Sequence, residues 1–244
     1  MNSNLIAYFS AYGHTRIAAE TVAEQLEKNG FSACTIKIPD PVLEKADEFN
    51  HIFFLTPVYH KNVPQIWDKV LTLLPEANNT AVFLCIMQGK DKKAALPAEV
   101  LFKCILHPKG YKVLDTTALP SPEMTEEKNI REFTTQRQGF TPPVKLKEWT
   151  ENISSRIRSG KIDRSLYDMN ANIPKEPLLS KLARRIAFIS AKTPQVSPDK
   201  CKLCGICQAQ CPIAAIAIDT KVHIGSECIK CYVCKAVCPE HAIL

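Results

Sequence analysis

No stretch of the 244 residues approaches the roughly 18 consecutive apolar side chains that a membrane-spanning helix needs. No secretory leader is expected either, since Met1-Asn-Ser-Asn runs straight into a strand-like segment. This argues against a disulfide framework, which belongs to small secreted chains in oxidising compartments. The expectation is a soluble protein of a reducing cytoplasm. There is no G-x-G-x-x-G run of the kind that binds a nicotinamide dinucleotide. The formal net charge of +6 invites a nucleic-acid reading, but no aromatic residues interleave with the basic ones and no such motif is present. No nucleic-acid partner is expected. The basic excess is local, since residues 151–200 carry 10 basic and 5 acidic side chains. Arg156, Arg158, Lys161, Arg164, Lys181, Arg184, Arg185 and Lys192 are expected on a solvated helix face or toward an acidic partner or domain.

Cysteine, by contrast, is plentiful, and eight of the eleven lie in the last 44 residues. Cys201, Cys204, Cys207 and Cys211 before Pro212 are repeated in spacing by Cys228, Cys231, Cys234 and Cys238 before Pro239. Each run reads C-x-x-C-x-x-C-x-x-x-C-P, and the likeness extends to C-P-x-x-A-I at 211–216 and 238–243. A tight loop with cysteines at every third residue points three thiolates at three corners of one cubane, and a distant fourth closes it. Zinc sites use sets of four ligands and would leave one cysteine of each triple idle. The runs resemble those of bacterial ferredoxins. The resemblance implies two 4Fe-4S clusters, one held by Cys201, Cys204, Cys207 and Cys238, the other by Cys228, Cys231, Cys234 and Cys211.

About 200 residues precede this unit. Residues 5–9 form a short apolar run of buried-strand type, followed by a loop and a helix with Ile17, Ala18, Val22, Ala23 and Leu26 at helical spacing, stopped by Asn29-Gly30. Further strands are expected at 32–38, 51–55, 81–87 and 111–119, with helices at 64–74 and around Val100, Leu101, Cys104 and Ile105. Five strands alternating with helices give an α/β fold, an open doubly wound parallel sheet. Ligands in such sheets bind beyond the carboxyl ends of the strands, which points to the loops at 10–15, 56–62, 88–92 and 120–124.

The loop Ser10-Ala11-Tyr12-Gly13-His14-Thr15 resembles the FMN phosphate loop of flavodoxin-like proteins. Hydroxyls of Ser10 and Thr15, with loop and helix-start N–H groups, can surround a phosphate at the positive helix terminus, and Gly13 allows close approach. The resemblance implies FMN held by Ser10, Tyr12, Gly13, His14 and Thr15, by Pro57, Val58 and Tyr59, and by Gln88 and Gly89. Tyr12 replaces the threonine of many flavodoxins, and the Tyr-Gly-His variant is closer to flavodoxin-like quinone reductases. Tyr59 is the ring candidate for stacking on the flavin or for packing on its own domain. His51, His107, His223 and His241 read as structural, and Cys34, Cys85 and Cys104 as small core hydrophobes.

Pro142-Pro143 precedes a last helix with Leu146, Trp149, Ile153 and Ile157 on one stripe, ended by Gly160. The expected division is a flavodoxin-like domain at 1–160, a linker at 161–195 with an amphipathic helix around Leu178, Leu179, Leu182, Ile186 and Phe188, and an α+β ferredoxin domain at 196–244. As a whole the chain resembles flavodoxin–ferredoxin fusion proteins of anaerobic microbes. With clusters and FMN bound, about −4 and nearly −2 of charge bring it near neutrality. The resemblance implies an electron carrier working with a redox protein such as a ferredoxin or reductase. A flavin-dependent reductase of a small acceptor such as a quinone is the second reading. A homodimer becomes relevant if the flavin and the clusters of one chain lie too far apart.

Overall fold

The structure, a computed structural model, describes residues 3–59, 62–78, 80–89, 95–122, 140–162, 186, 189 and 191–244. Five strands, β1 (Ser3–Tyr8), β2 (Ser32–Lys37), β3 (His51–Pro57), β4 (Thr80–Gln88) and β5 (Tyr111–Pro120), form one sheet in the order β2-β1-β3-β4-β5. All four pairings are parallel. Strands β3 and β4 are buried along their whole length, as continuous apolar runs covered on both faces should be.

Alternation along each strand sends side chains to two cores. Leu5 and Ala7 of β1, Ile52 and Phe54 of β3, and Val82, Leu84 and Ile86 of β4 face the helices α2 (Ile66–Leu73) and α3 (Ala95–Leu106). Ile6, Phe53, Leu55, Phe83 and Cys85 face α1 (His14–Lys28) and α4 (Val144–Arg158). The helix α1 buries Ala18, Ala19, Val22 and Leu26, and ends where Gly30, at φ 80°, lets the Gly30 and Phe31 N–H groups return to the Glu27 and Leu26 carbonyls. Between β2 and β3 a 3-10 segment, Pro41–Glu48, starts on Asp40, whose side chain accepts from the Val42 N–H at 2.9 Å.

The C-terminal unit is small. The β-hairpin of β6 (Ile216–Ile218) and β7 (Val222–Ile224) packs with α5 (Ile206–Ala209) and α6 (Val233–Val237). Its entry is stitched to its exit by Val196 bridging Ile243, with Ser197 N–H to Ala242 O and Leu244 N–H to Gln195 O, both 2.8 Å. Its core is made of Cys207, Ile216, Cys234 and Ile243. A unit this small with cysteines for half its core lacks the apolar mass to stand alone.

Of the expected basic face, Arg158, Lys161 and Lys192 are exposed, whereas Arg156 is half-buried. Arg156 pairs with Asp115 of β5 at 2.7 Å, and Arg158 donates to the Asn29 carbonyl and side chain, because β5 and the α1 terminus lie within reach of α4. Trp149 of the expected apolar stripe is half-buried and donates its Nε1–H to Asp115 at 3.1 Å. Most of the expected linker helix lies outside the described residues; Ile186 is helical and 56% exposed. Among the described residues no helix is long and apolar enough to cross a membrane.

Candidate functional site

The loops at the carboxyl ends of β1, β3 and β4 come together where the strand order reverses, between β1 and β3. Ser10 Oγ accepts the Gly13 N–H at 3.0 Å, which closes a tight turn at the start of α1. Gly13 stands at φ 92°, a conformation that costs glycine least, and its carbonyl accepts the first helical N–H, from Ile17. Thr15 is buried in the first turn of α1. In the second loop Tyr59 and Asn62 exchange backbone hydrogen bonds of 2.6 and 2.9 Å, and Val58 N–H reaches Met87 O. In the third, Gln88 is buried and its carbonyl accepts the Ser121 N–H, while its Oε1 has no hydrogen-bond partner among the described residues.

The rings of Tyr12, Tyr59 and His14 all have partners within the protein. Tyr12 is 5% exposed, and its hydroxyl donates to the Cys231 carbonyl at 2.6 Å. Burial raises its pKa well above the ordinary phenol value, so it remains a donor. Burial likewise raises Tyr59, whose hydroxyl has Cys231 and Tyr12 as electrostatic neighbours and a backbone hydrogen bond from Ala11. The His14 ring lies 4.8 Å from Phe140 with its Nδ1 3.4 Å from Ser121 Oγ, and burial lowers its pKa.

The contact through Tyr12 belongs to a wider seam. Ile229, between two cysteines of the second run, is 5% exposed and packs in the same core as Leu5, Phe54 and Trp67. Ala11, Val58, Tyr59, Ile213 and Cys231 border that core. The loop carrying Cys228 and Cys231 is therefore seated on the first and second loops of the sheet. Nothing in the periodicity of the sequence announces this, because Ile229 reads only as a spacer between cysteines.

The two cysteine runs adopt the same backbone. Leu203 and Lys230 (φ 52° and 56°), Gly205 and Tyr232 (79° and 60°), and Ala214 and His241 (52° and 48°) are equivalent pairs, all in the left-handed region. Non-glycine residues occupy it rarely and gather where a site demands them. Hydrogen bonds repeat as well. Ala215 N–H donates to Cys211 Sγ at 3.2 Å, and Ala242 N–H to Cys238 Sγ at 3.3 Å.

Cys201, Cys204, Cys207 and Cys238 line one cavity of ≈ 370 Å³, including its open mouth, with Val196, Ile218, Val222 and Ile243 around them. Cys211, far from the second run in sequence, acts electrostatically on Cys228, Cys231 and Cys234. Burial, the largest cause, pushes the Cys231 and Cys234 thiols up to about 12. Among the described residues no three His, Cys, Asp or Glu side chains converge as the ligands of a single ion do; thiolates around a cubane stand further apart. Cys85 is buried, Cys34 and Cys104 half-buried, all within the sheet domain. His51 Nδ1 meets Asn4 Oδ1 at 3.0 Å inside the fold, away from both sites.

Two family models match: residues 5–112 match one described as flavodoxin domain, and residues 193–240 one described as 4Fe-4S dicluster domain. No curated protein matches the chain. Among solved structures, it is similar to a cysteine-to-serine mutant of the flavodoxin from Pseudomonas aeruginosa at 13% identity, TM-score 0.49, covering 64% of this chain and 99% of that one. A flavodoxin, WrbA-like protein from Agrobacterium tumefaciens follows at 15% identity, 66% and 97% coverage and TM-score 0.47. A Fusobacterium nucleatum flavodoxin bound to flavin mononucleotide shows 15% identity, 64% and 99% coverage and TM-score 0.45.

Proposed function

From a chain that joins a flavodoxin domain to a 4Fe-4S dicluster domain, and so has an electron-transfer role with redox partners, we propose a finer reading: it is an electron carrier that passes electrons between FMN and two 4Fe-4S clusters. FMN, which holds zero, one or two electrons, and clusters that exchange one each would convert between two-electron and one-electron transfer. The observation that carries the reading is the seat of the Cys228–Cys231 loop on the 10–15 and 56–59 loops, through Tyr12 and Ile229.

The residues fit the groups. The Ser10 hydroxyl, already accepting from Gly13, keeps its hydrogen to donate to a phosphate, and Thr15 adds a second hydroxyl at the helix start. The buried Gln88 Oε1 is an acceptor awaiting a donor, as the flavin ring can supply. Pro57, Val58, Tyr59 and Gly89 would form the remaining walls. Cys201, Cys204, Cys207 and Cys238 would hold one cluster, and Cys228, Cys231, Cys234 and Cys211 the other, with the amides on Cys211 and Cys238 favouring their thiolates. The working division is 1–160 for FMN, 161–195 as connector and 196–244 for the clusters.

The same seam favours a carrier over a reductase, since Ile229 and Cys231 cover the loops over which a small acceptor would have to enter. It would also bring one cluster to the FMN loops within one chain, which supports transfer without a second copy. Exchange with a partner protein would occur at the other cluster, where Cys204 is exposed.

Purification without oxygen should give about eight irons and one FMN per chain. The protein should be bleached by reduced ferredoxin yet turn over neither quinones nor nicotinamides. Iron near zero would end the cluster reading, and quinone turnover the carrier reading.

A further inference from the structure

The two cysteine runs share a backbone but not its chemistry. At one pair of equivalent positions Leu203 is 42% exposed, whereas Lys230 is 8% exposed. The Lys230 ammonium donates to the Ala191 carbonyl at 2.6 Å and its charge acts on Cys228, while the Lys230 backbone N–H donates to Cys228 Sγ at 3.4 Å. At the next pair Gly205 has no side chain, whereas the Tyr232 hydroxyl donates to Lys192 O at 2.6 Å. Two adjacent connector carbonyls are thus pinned over one run, and one of them fixes the ammonium. Held between Cys228 and Cys231, this ammonium sets a fixed positive charge whose field reaches the Cys228 thiol.

We infer that Lys230 sets the potential of the cluster held by Cys228, Cys231, Cys234 and Cys211, favouring its reduced state and making the two clusters of the chain unequal. The inference rests on the two-cluster reading above. Reduction adds one electron and no proton, so the reduced cluster is one unit more negative and a fixed cation beside it draws the electron in. Leu203 gives the other cluster no such charge.

The test is a potentiometric titration of the full chain, prepared without oxygen, with the iron–sulfur signals followed by electron paramagnetic resonance. In Lys230→Met one of the two waves should move to lower potential while the other stays. The electron's distribution between the clusters should change about tenfold, equivalent to about 59 mV for a one-electron couple. Lys230→Arg should restore the wave. Leu203→Lys, at an exposed position that tolerates the change, should raise the other wave alone. If Lys230→Met keeps its iron and neither wave moves, or both move together, or if Leu203→Lys moves the wave assigned to Lys230, the inference fails. Iron well below eight per chain in the unaltered protein would instead sink the two-cluster reading, independently of Lys230.

Discussion

The hydroxyl of Tyr12 donates to the carbonyl of Cys231 across 2.6 Å and 219 residues of chain. One partner lies in the loop that would cradle the FMN phosphate, the other is a residue whose thiolate would hold a cluster. A single hydrogen bond therefore links the two redox sites through covalent backbone on either side.

Tyr12→Phe removes that bond and leaves a carbonyl without its donor at a cost of about 1–3 kcal/mol. Iron and FMN contents should be unchanged, while electron exchange between flavin and clusters slows. Rapid-mixing reduction, with flavin and cluster absorbance followed separately, reads this. Unaltered kinetics would show that Tyr12 serves packing alone.

The crossed ligand sets proposed above would make Cys211 and Cys231 members of one cluster although they lie in different runs. Cys211→Ser and Cys231→Ser should therefore abolish the same electron paramagnetic resonance signal, and Cys204→Ser the other. If Cys211→Ser matched Cys204→Ser instead, each run would hold its own cluster.

Ser10→Ala and Thr15→Val should each weaken FMN by about tenfold, the loss of one hydrogen bond to a charged group. Gln88→Leu should weaken it too, by removing the acceptor. Fluorescence titration of the flavin-free protein measures this, and iron content should hold throughout. Undiminished affinity in all three would move the flavin site off these loops.

Burial lowers the pKa of His14 and, with Lys103 and Lys112, of His107 below the ordinary 6.5, and pushes the Cys85 thiol up from 9.0 to about 12. A histidine that protonates more readily unfolded than folded makes stability fall as the pH drops below 6.5. A thiol that ionises more readily unfolded makes it fall as the pH climbs from 9 toward 12. Thermal unfolding of the cofactor-free protein should thus show a plateau between these limits. His107→Asn should flatten the acid limb and Cys85→Ala the alkaline one; limbs unchanged by both would assign the pH dependence elsewhere.

The sheet is readable because β3 and β4 are unbroken apolar runs and because Val22 and Leu26 repeat at helical spacing. Ends shift by a residue or two. Phe9, apolar and expected on the strand, lies just past β1, and β3 runs on through Pro57. The segment at 41–48 has no apolar periodicity to read, since a capping Asp40 and two short helical pieces that meet at a kink at Lys45 define it. Cysteine spacing carries the cluster unit, because tight loops impose it. What joins the two domains leaves no such trace: Tyr12 reads as a phosphate-loop residue and Ile229 and Lys230 as filler, and only the tertiary fold gives them partners.

Ile229 completes the core of the sheet domain from a position beside Cys228. A cluster held by that loop and an FMN held by the loops beneath it would therefore share one packed seam. Whatever factor bound iron adds to the retention of FMN, bound FMN must therefore add to the retention of iron, because coupling between two binding equilibria is reciprocal.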